Sequence, residues 1–167
     1  MKTVTFLLIS IFFLSGCFNS KEIVKIVNVD KLHEQSLLYT QKGEVVSSFE
    51  TKAIIFATYL NPLDEKFHNE NNDSFLVGVY IPKDYAKKAK RGLKNPLFKL
   101  INGDNKKPLS VKRLNRDDEL MKFMPIVNSW CEYFKVDFKT NKKVKKIKLI
   151  YQNKDYGKTI LNFSKEY

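Results

Sequence analysis

Apolar and polar residues alternate along most of the chain with a period of two. The runs KAIIFATYL (52–60), FLVGVYI (75–81), LFKLI (97–101), LSVKRL (109–114), WCEYFKVDF (130–138), KIKLIY (146–151) and GKTILNF (157–163) are short and rich in β-branched and aromatic residues. Such runs read as strands with one buried face. They predict seven strands, and EIVKIVNV (22–29) offers an eighth. Phe75, Val77, Val79 and Ile81 share one face of their strand, Phe134, Val136 and Phe138 share another with Trp130 in phase, and Thr159, Leu161 and Phe163 oppose Ile160 and Asn162. Each sheet is therefore expected to bury one side. Gly78, inside a strand, marks a bulge or a close approach of backbone.

Between the strands the chain carries turn chemistry. NGDNKKP (102–108) and NKDYG (153–157) predict hairpin loops. DKLHEQSLLYTQKG (30–43) predicts a short helix with Asp30 as N-cap and Gly43 past its end. PKDYAKKAKRG (82–92) has proline first and glycine last, and NRDDELMKFMP (115–125) places acids ahead of a Leu-Met-Phe-Met run, so both predict single helical turns. Repeats and heptads are absent. Short strands separated by turns, without the βαβ rhythm of a parallel sheet, predict an all-β antiparallel Ig-like sandwich of about seven to eight strands with one to three short helical turns.

The first residues follow another pattern. Lys2 precedes an apolar run from Val4 to Leu14, interrupted only by Thr5 and Ser10 and followed by Ser15-Gly16-Cys17. The layout is that of a secretory signal, and the run is shorter than the roughly 20 residues that span a bilayer. Leu14-Ser15-Gly16-Cys17 resembles the lipobox of bacterial lipoproteins. That resemblance implies alkylation of the Cys17 thiol by diacylglycerol, removal of residues 1–16, and acylation of the new amino group. Small residues before the cysteine admit the peptidase, and Leu14 seats in it. Two or three acyl chains anchor durably where one does not. Phe18 follows the cysteine, where an aspartate would imply inner-membrane retention, so the outer membrane is the expected address. Residues 17–22 would form the lipidated tether and 23–167 a single sandwich domain, long enough for a core.

Composition adds charge. The 167 residues hold 30 Lys and Arg against 18 Asp and Glu, a formal charge of +12. The arginines are only Arg91, Arg113 and Arg116, and an exported lipoprotein does not meet nucleic acid, so nucleic acid is not an expected partner. An AT-rich genome explains abundant Lys, Asn, Ile, Phe and Tyr equally well. The basic clusters at Lys87, Lys88, Lys90 and Arg91, and at Lys142, Lys143, Lys145 and Lys146, are candidate contacts to an anionic surface; the simpler reading is a wet strand face and its turn, where lysine also discourages edge-to-edge association.

Little else suggests chemistry. GxSxG, HExxH, P-loop and dinucleotide fingerprints are missing. His33 and His68 stand in no metal or triad spacing, and LDEKFHNENND (63–73) is oxygen-rich without the calcium-loop spacing. Asp117 and Asp118 suit the start of a helical turn. With Cys17 blocked, Cys131 has no disulfide partner and is expected to be buried and inert. No cofactor, metal or catalytic residue is expected.

The lipobox, KAIIFATYLNP followed by FLVGVYI, NSWCEYFKVDF, and the terminal KLIYQNKDYGKTILNFSK together resemble small Ig-like β-sandwich lipoproteins of Campylobacter and related ε-proteobacteria. The resemblance implies fold and address; the activity of such proteins is unassigned. The paired intersheet cysteines of antibody-type domains are missing, while Trp130 is expected to plug the core and Tyr133 to act as a tyrosine corner. The expected function is a non-enzymatic envelope or surface module, anchored to the bilayer through Cys17 and holding another envelope protein by its loops or a strand edge. A small-ligand or lipid-binding module is the alternative, and an envelope hydrolase the third and least favoured.

Overall fold

All seven strands read from the alternation are present in the computed structural model, which describes residues 31–83 and 92–165. They are β2 (Glu50–Tyr59), β3 (Asn72–Tyr80), β4 (Phe98–Asn102), β5 (Ser110–Leu114), β6 (Glu132–Lys139), β7 (Lys146–Asn153) and β8 (Gly157–Ser164). An eighth, β1 (Thr40–Ser47), precedes them. The strands form two antiparallel sheets, ordered β1-β2-β3-β6-β5 and β4-β7-β8. With β3 set aside, the neighbours are β1-β2-β6-β5 and β4-β7-β8, the spatial order of the two sheets of an Ig domain. β3 lies between the B and E positions and is antiparallel to both of its neighbours, so β2 and β6 run in the same direction where the B and E strands of an Ig domain run in opposite ones.

The inner faces meet in one core. Ile55, Ala57 and Tyr59 of β2, Phe75, Val77 and Val79 of β3, and Phe134, Val136 and Phe138 of β6 pack with Leu149 and Tyr151 of β7 and Leu161 and Phe163 of β8. The assigned faces of β3, β6 and β8 are thus the buried ones. Phe163 reaches across to Phe75, with ring centroids 5.2 Å apart in an edge contact, a favoured geometry for aromatic pairs.

The five-stranded sheet departs from the expectation of one wet side. Its outer face carries Phe56, Leu76 and Tyr133, and these are covered by Leu60, Phe67, Met121, Phe123, Met124 and Cys131. The cover is built from two 3-10 turns, Glu65–Phe67 and Glu119–Phe123, whose phenylalanines Phe67 and Phe123 meet edge to face at 5.2 Å. Each turn is N-capped by an aspartate: Asp64 accepts from Lys66 N–H and Asp118 from Leu120 N–H, both at 3.0 Å. The Leu-Met-Phe-Met run is apolar because it lies on a sheet.

The segment read as a single helix divides in two. Residues 31–38 are helical, and the chain turns at Tyr39 into β1. Gly43 sits inside that strand, not after a helix, and a Cβ there would lie 2.5 Å from Thr159 Oγ1 and 2.8 Å from Leu161 Cδ2. β1 therefore closes against β8 at a distance only glycine permits. Gly78 is also a close approach: its Cβ would lie 2.7 Å from the Tyr133 ring, and the register on either side runs through without a bulge. The irregularity in register falls between Val45 and Val46.

NKDYG forms the β7–β8 hairpin, with Asn153 opposite Gly157. NGDNKKP does not form a hairpin; it carries the chain from β4 in one sheet to β5 in the other. A further 3-10 turn, Gly92–Lys94, ends the 82–92 segment. Residues 22–29, the lipobox Leu14–Cys17, and Lys87, Lys88, Lys90 and Arg91 lie outside the described residues.

Candidate functional site

The two long sides of the sandwich differ. On one, β1 meets β8 at Gly43. On the other stand β4 and β5, each at the end of its sheet and, among the described residues, paired on one side only. Between these two edges is a cleft of about 380 Å³ lined by Leu93, Pro96, Phe98, Leu100, Pro108 and Val111, with Lys94, Lys99 and Lys107 among its polar members and no carboxylate.

Local chemistry explains the cleft. Asn95 caps the bend before β4, its side chain accepting from Leu97 N–H at 2.9 Å. Asn102 does the same after β4, accepting from Asp104 and Lys106 N–H at 3.1 and 2.8 Å. Phe98 N–H donates to Asn95 O and Asn102 N–H to Lys106 O, so both ends of β4 are tied to flanking loops. β5 is of the same length as β4, and its first four residues are exposed. Leu97, Leu109 and Val111 are 44%, 62% and 46% exposed around the cleft. Phe98 forms part of its wall and stacks on Tyr151 at 5.2 Å and 14°.

The lysines of the β6–β7 region are all exposed. Lys142 is partnered by Glu70 at 2.9 Å, Lys143 and Lys145 stand on the turn, and Lys146 begins β7. The acids of 63–73 are dispersed among separate partners: Asp64 on its cap, Glu70 on Lys142, and Asp73 on Lys165 and the Tyr59 hydroxyl. No group of three His, Cys, Asp or Glu that could hold a metal occurs among the described residues. His33 is exposed on the helical residues and His68 on the β2–β3 loop.

Cys131 is a buried free thiol. Burial pushes its pKa up, against a hydrogen bond with the Tyr133 hydroxyl and the charge of Arg116, so the thiol stays protonated. The Tyr133 hydroxyl donates to Asn128 O at 3.2 Å and accepts from Asn128 N–H at 2.6 Å, which ties the segment ahead of β6 to that strand; the tyrosine corner of Ig domains lies on the F strand, whose place here is taken by β7. Trp130 corrects the expectation of a core plug. It precedes β6, where strand phase no longer governs it, and is 66% exposed with its ring 6.1 Å from Tyr80.

Arg113 and Arg116 are also engaged, Arg113 with Glu132 at 3.2 Å and Arg116 with the Ser129 carbonyl. The cleft was not legible in the sequence because its walls come from strands that are neighbours only through the strand order; the apolar Leu97, Leu109 and Val111 read as strand residues like any others.

These features define an antiparallel β-sandwich in which, among the described residues, β1 closes on β8 and the β4–β5 side is uncovered. No protein-family model matches the chain, and searches of curated proteins and of solved structures return no significant match.

Proposed function

We propose that this protein is a non-enzymatic, lipid-anchored envelope module that holds an extended segment of a partner along the open β4–β5 side. The observation that carries the reading is the acid-free apolar cleft between two strand edges that no described strand pairs. An added strand would take its main-chain hydrogen bonds from β5 and set alternate side chains into the cleft. Covering an aliphatic side chain contributes about 1.5–3 kcal/mol, and Leu97, Leu109 and Val111 await such cover. Lys94, Lys99 and Lys107 favour acidic residues in the segment, while Lys112 on the edge itself disfavours pairing of two copies of this chain. Anchoring through Cys17 at the outer membrane is supported by the Leu14-Ser15-Gly16-Cys17 pattern.

The side chains of Tyr59, Phe75, Phe138 and Phe163 fill the space between the sheets, which favours a docking edge over an internal ligand chamber. The test is a pair of short synthetic peptides, one alternating Glu with Val and the other Lys with Val. The acidic peptide is expected to bind and Val111→Asp to weaken it at least tenfold. Equal binding of both peptides, or of neither, rejects the site. Fatty-acid labelling in a bacterial host, expected to vanish in Cys17→Ala, tests the anchor separately.

A further inference from the structure

The two sheets carry their charges differently. The five-stranded sheet holds Glu44, Glu50, Asp73, Glu132 and Asp137 among its strands. β4, β7 and β8 contain no aspartate or glutamate. Leu100, Leu149, Tyr151, Leu161 and Phe163 face the core, so alternation turns Lys99, Lys146, Lys148 and Lys158 to the outer side of the three-stranded sheet. All four are exposed, and none forms an ion pair with a described residue. Across the middle of that face, Ile101, Ile150 and Ile160 stand in register on the three strands; Ile101 is buried, Ile150 half-buried and Ile160 42% exposed.

Wet sheet faces ordinarily mix signs, as the other sheet does with Lys42 beside Glu44 and Lys135 beside Asp137. Asp104 shares a cleft with Lys146 and Lys148, yet no ion pair holds these lysines among the described residues, and lysines gathered on one face repel one another, so the face favours an anionic counter-surface. We propose that the outer face of β4-β7-β8 rests on an anionic lipid surface. Lysine is a strongly hydrated point charge suited to phosphate headgroups, and its stem can lie along an apolar row while the ammonium stays in the polar layer. Nucleic-acid binding would favour arginine forks and stacking aromatics, which this face lacks. Ile160, with half-buried Ile150 beside it, supplies an apolar patch on that face, and Lys143 and Lys145 extend the basic field past the start of β7.

The proposal rests on the envelope location proposed above for its lipid, yet it is tested without the anchor. Full-length protein carrying Cys17→Ala is sedimented with phosphatidylcholine vesicles, with and without phosphatidylglycerol. The difference between the two isolates the charge-dependent part from any affinity of the apolar leader. That difference is expected to disappear near 1 M salt, where screening acts within about 3 Å. Each lysine at an anionic leaflet is worth roughly fivefold in affinity, so Lys146→Gln/Lys148→Gln/Lys158→Gln is expected to lose roughly a hundredfold. Lys42→Gln/Lys112→Gln/Lys122→Gln, with the same change in charge but on the other sheet and its cover, should lose far less. No preference for phosphatidylglycerol, or equal loss in both variants, overturns the proposal. Neither result bears on peptide capture or on acylation, which have their own readouts.

Discussion

At Ser48 and Phe49 the β1–β2 hairpin turns through φ of +52° and +63°. With Ser47 opposite Glu50, this two-residue loop has the pattern of a type I′ turn, for which Asn-Gly is the favoured pair. Neither residue present is glycine or asparagine, and Phe49 is fully exposed at the tip. A bulky side chain held in the left-handed region costs on the order of 1–3 kcal/mol. Phe49→Gly is therefore expected to stabilise the fold by about 1 kcal/mol, read as a higher midpoint in urea with an unchanged slope. Were the midpoint to fall, the ring would have to be held by contacts beyond those of the free chain.

Single strands are tied together by Asp137 of β6. Ser74 of β3 and Ser110 of β5 are its register partners on either side, and their hydroxyls donate to it at 2.7 and 2.6 Å. Lys135 completes the site at 2.9 Å. Burial raises the Asp137 pKa, but the two hydroxyls and Lys135 together hold it below the ordinary value of 3.8. A depressed folded-state value means stability that is complete above the unfolded pKa and lost as pH falls through the folded one. Asp137→Ala is expected to cost about 2–3 kcal/mol at neutral pH, with a smaller cost in strong acid. A cost independent of pH would assign the carboxylate no part in the acid limb.

How much of the architecture could be read in advance depends on how strictly an element alternates. β6 and β7 alternate closely, so period two announced them; β3, buried on both faces, was announced by its near-continuous apolar run, and β8 by Leu161 and Phe163 on one side. β1 buries only Gly43 and Val45, too little apolar signal to be seen beside a helical stretch. The segment after Asn102 shows a different limit. Asn-Gly reports that the chain reverses, not which sheet the next strand joins, and the crossover to β5 followed from strand order. The open cleft depends on that crossover and was equally hidden.

For the molecule as a whole, one end of the sandwich is clamped by charge. Lys165, just beyond β8, meets Asp73 of β3 at 3.1 Å; the Asp73 side chain is buried and that of Lys165 largely so. Tyr59 donates to the other Asp73 oxygen, and Lys165 donates to Asn141 O, each at 3.1 Å. The clamp joins one sheet to the other. Lys165→Met would strand a buried carboxylate, at an expected loss of about 3–5 kcal/mol in chemical denaturation. Lys165→Met/Asp73→Asn should recover part of that loss, and failure to recover any would show that the two charges act independently.

The chain has a single tryptophan, and the fold displays it on the rim beside Tyr80. An indole already bathed in water changes its emission little on unfolding, so intrinsic fluorescence makes a poor thermometer for this protein. The same placement makes Trp130 an optical sentinel: a molecule that settles beside Tyr80 would dry the indole and shift its emission toward the blue.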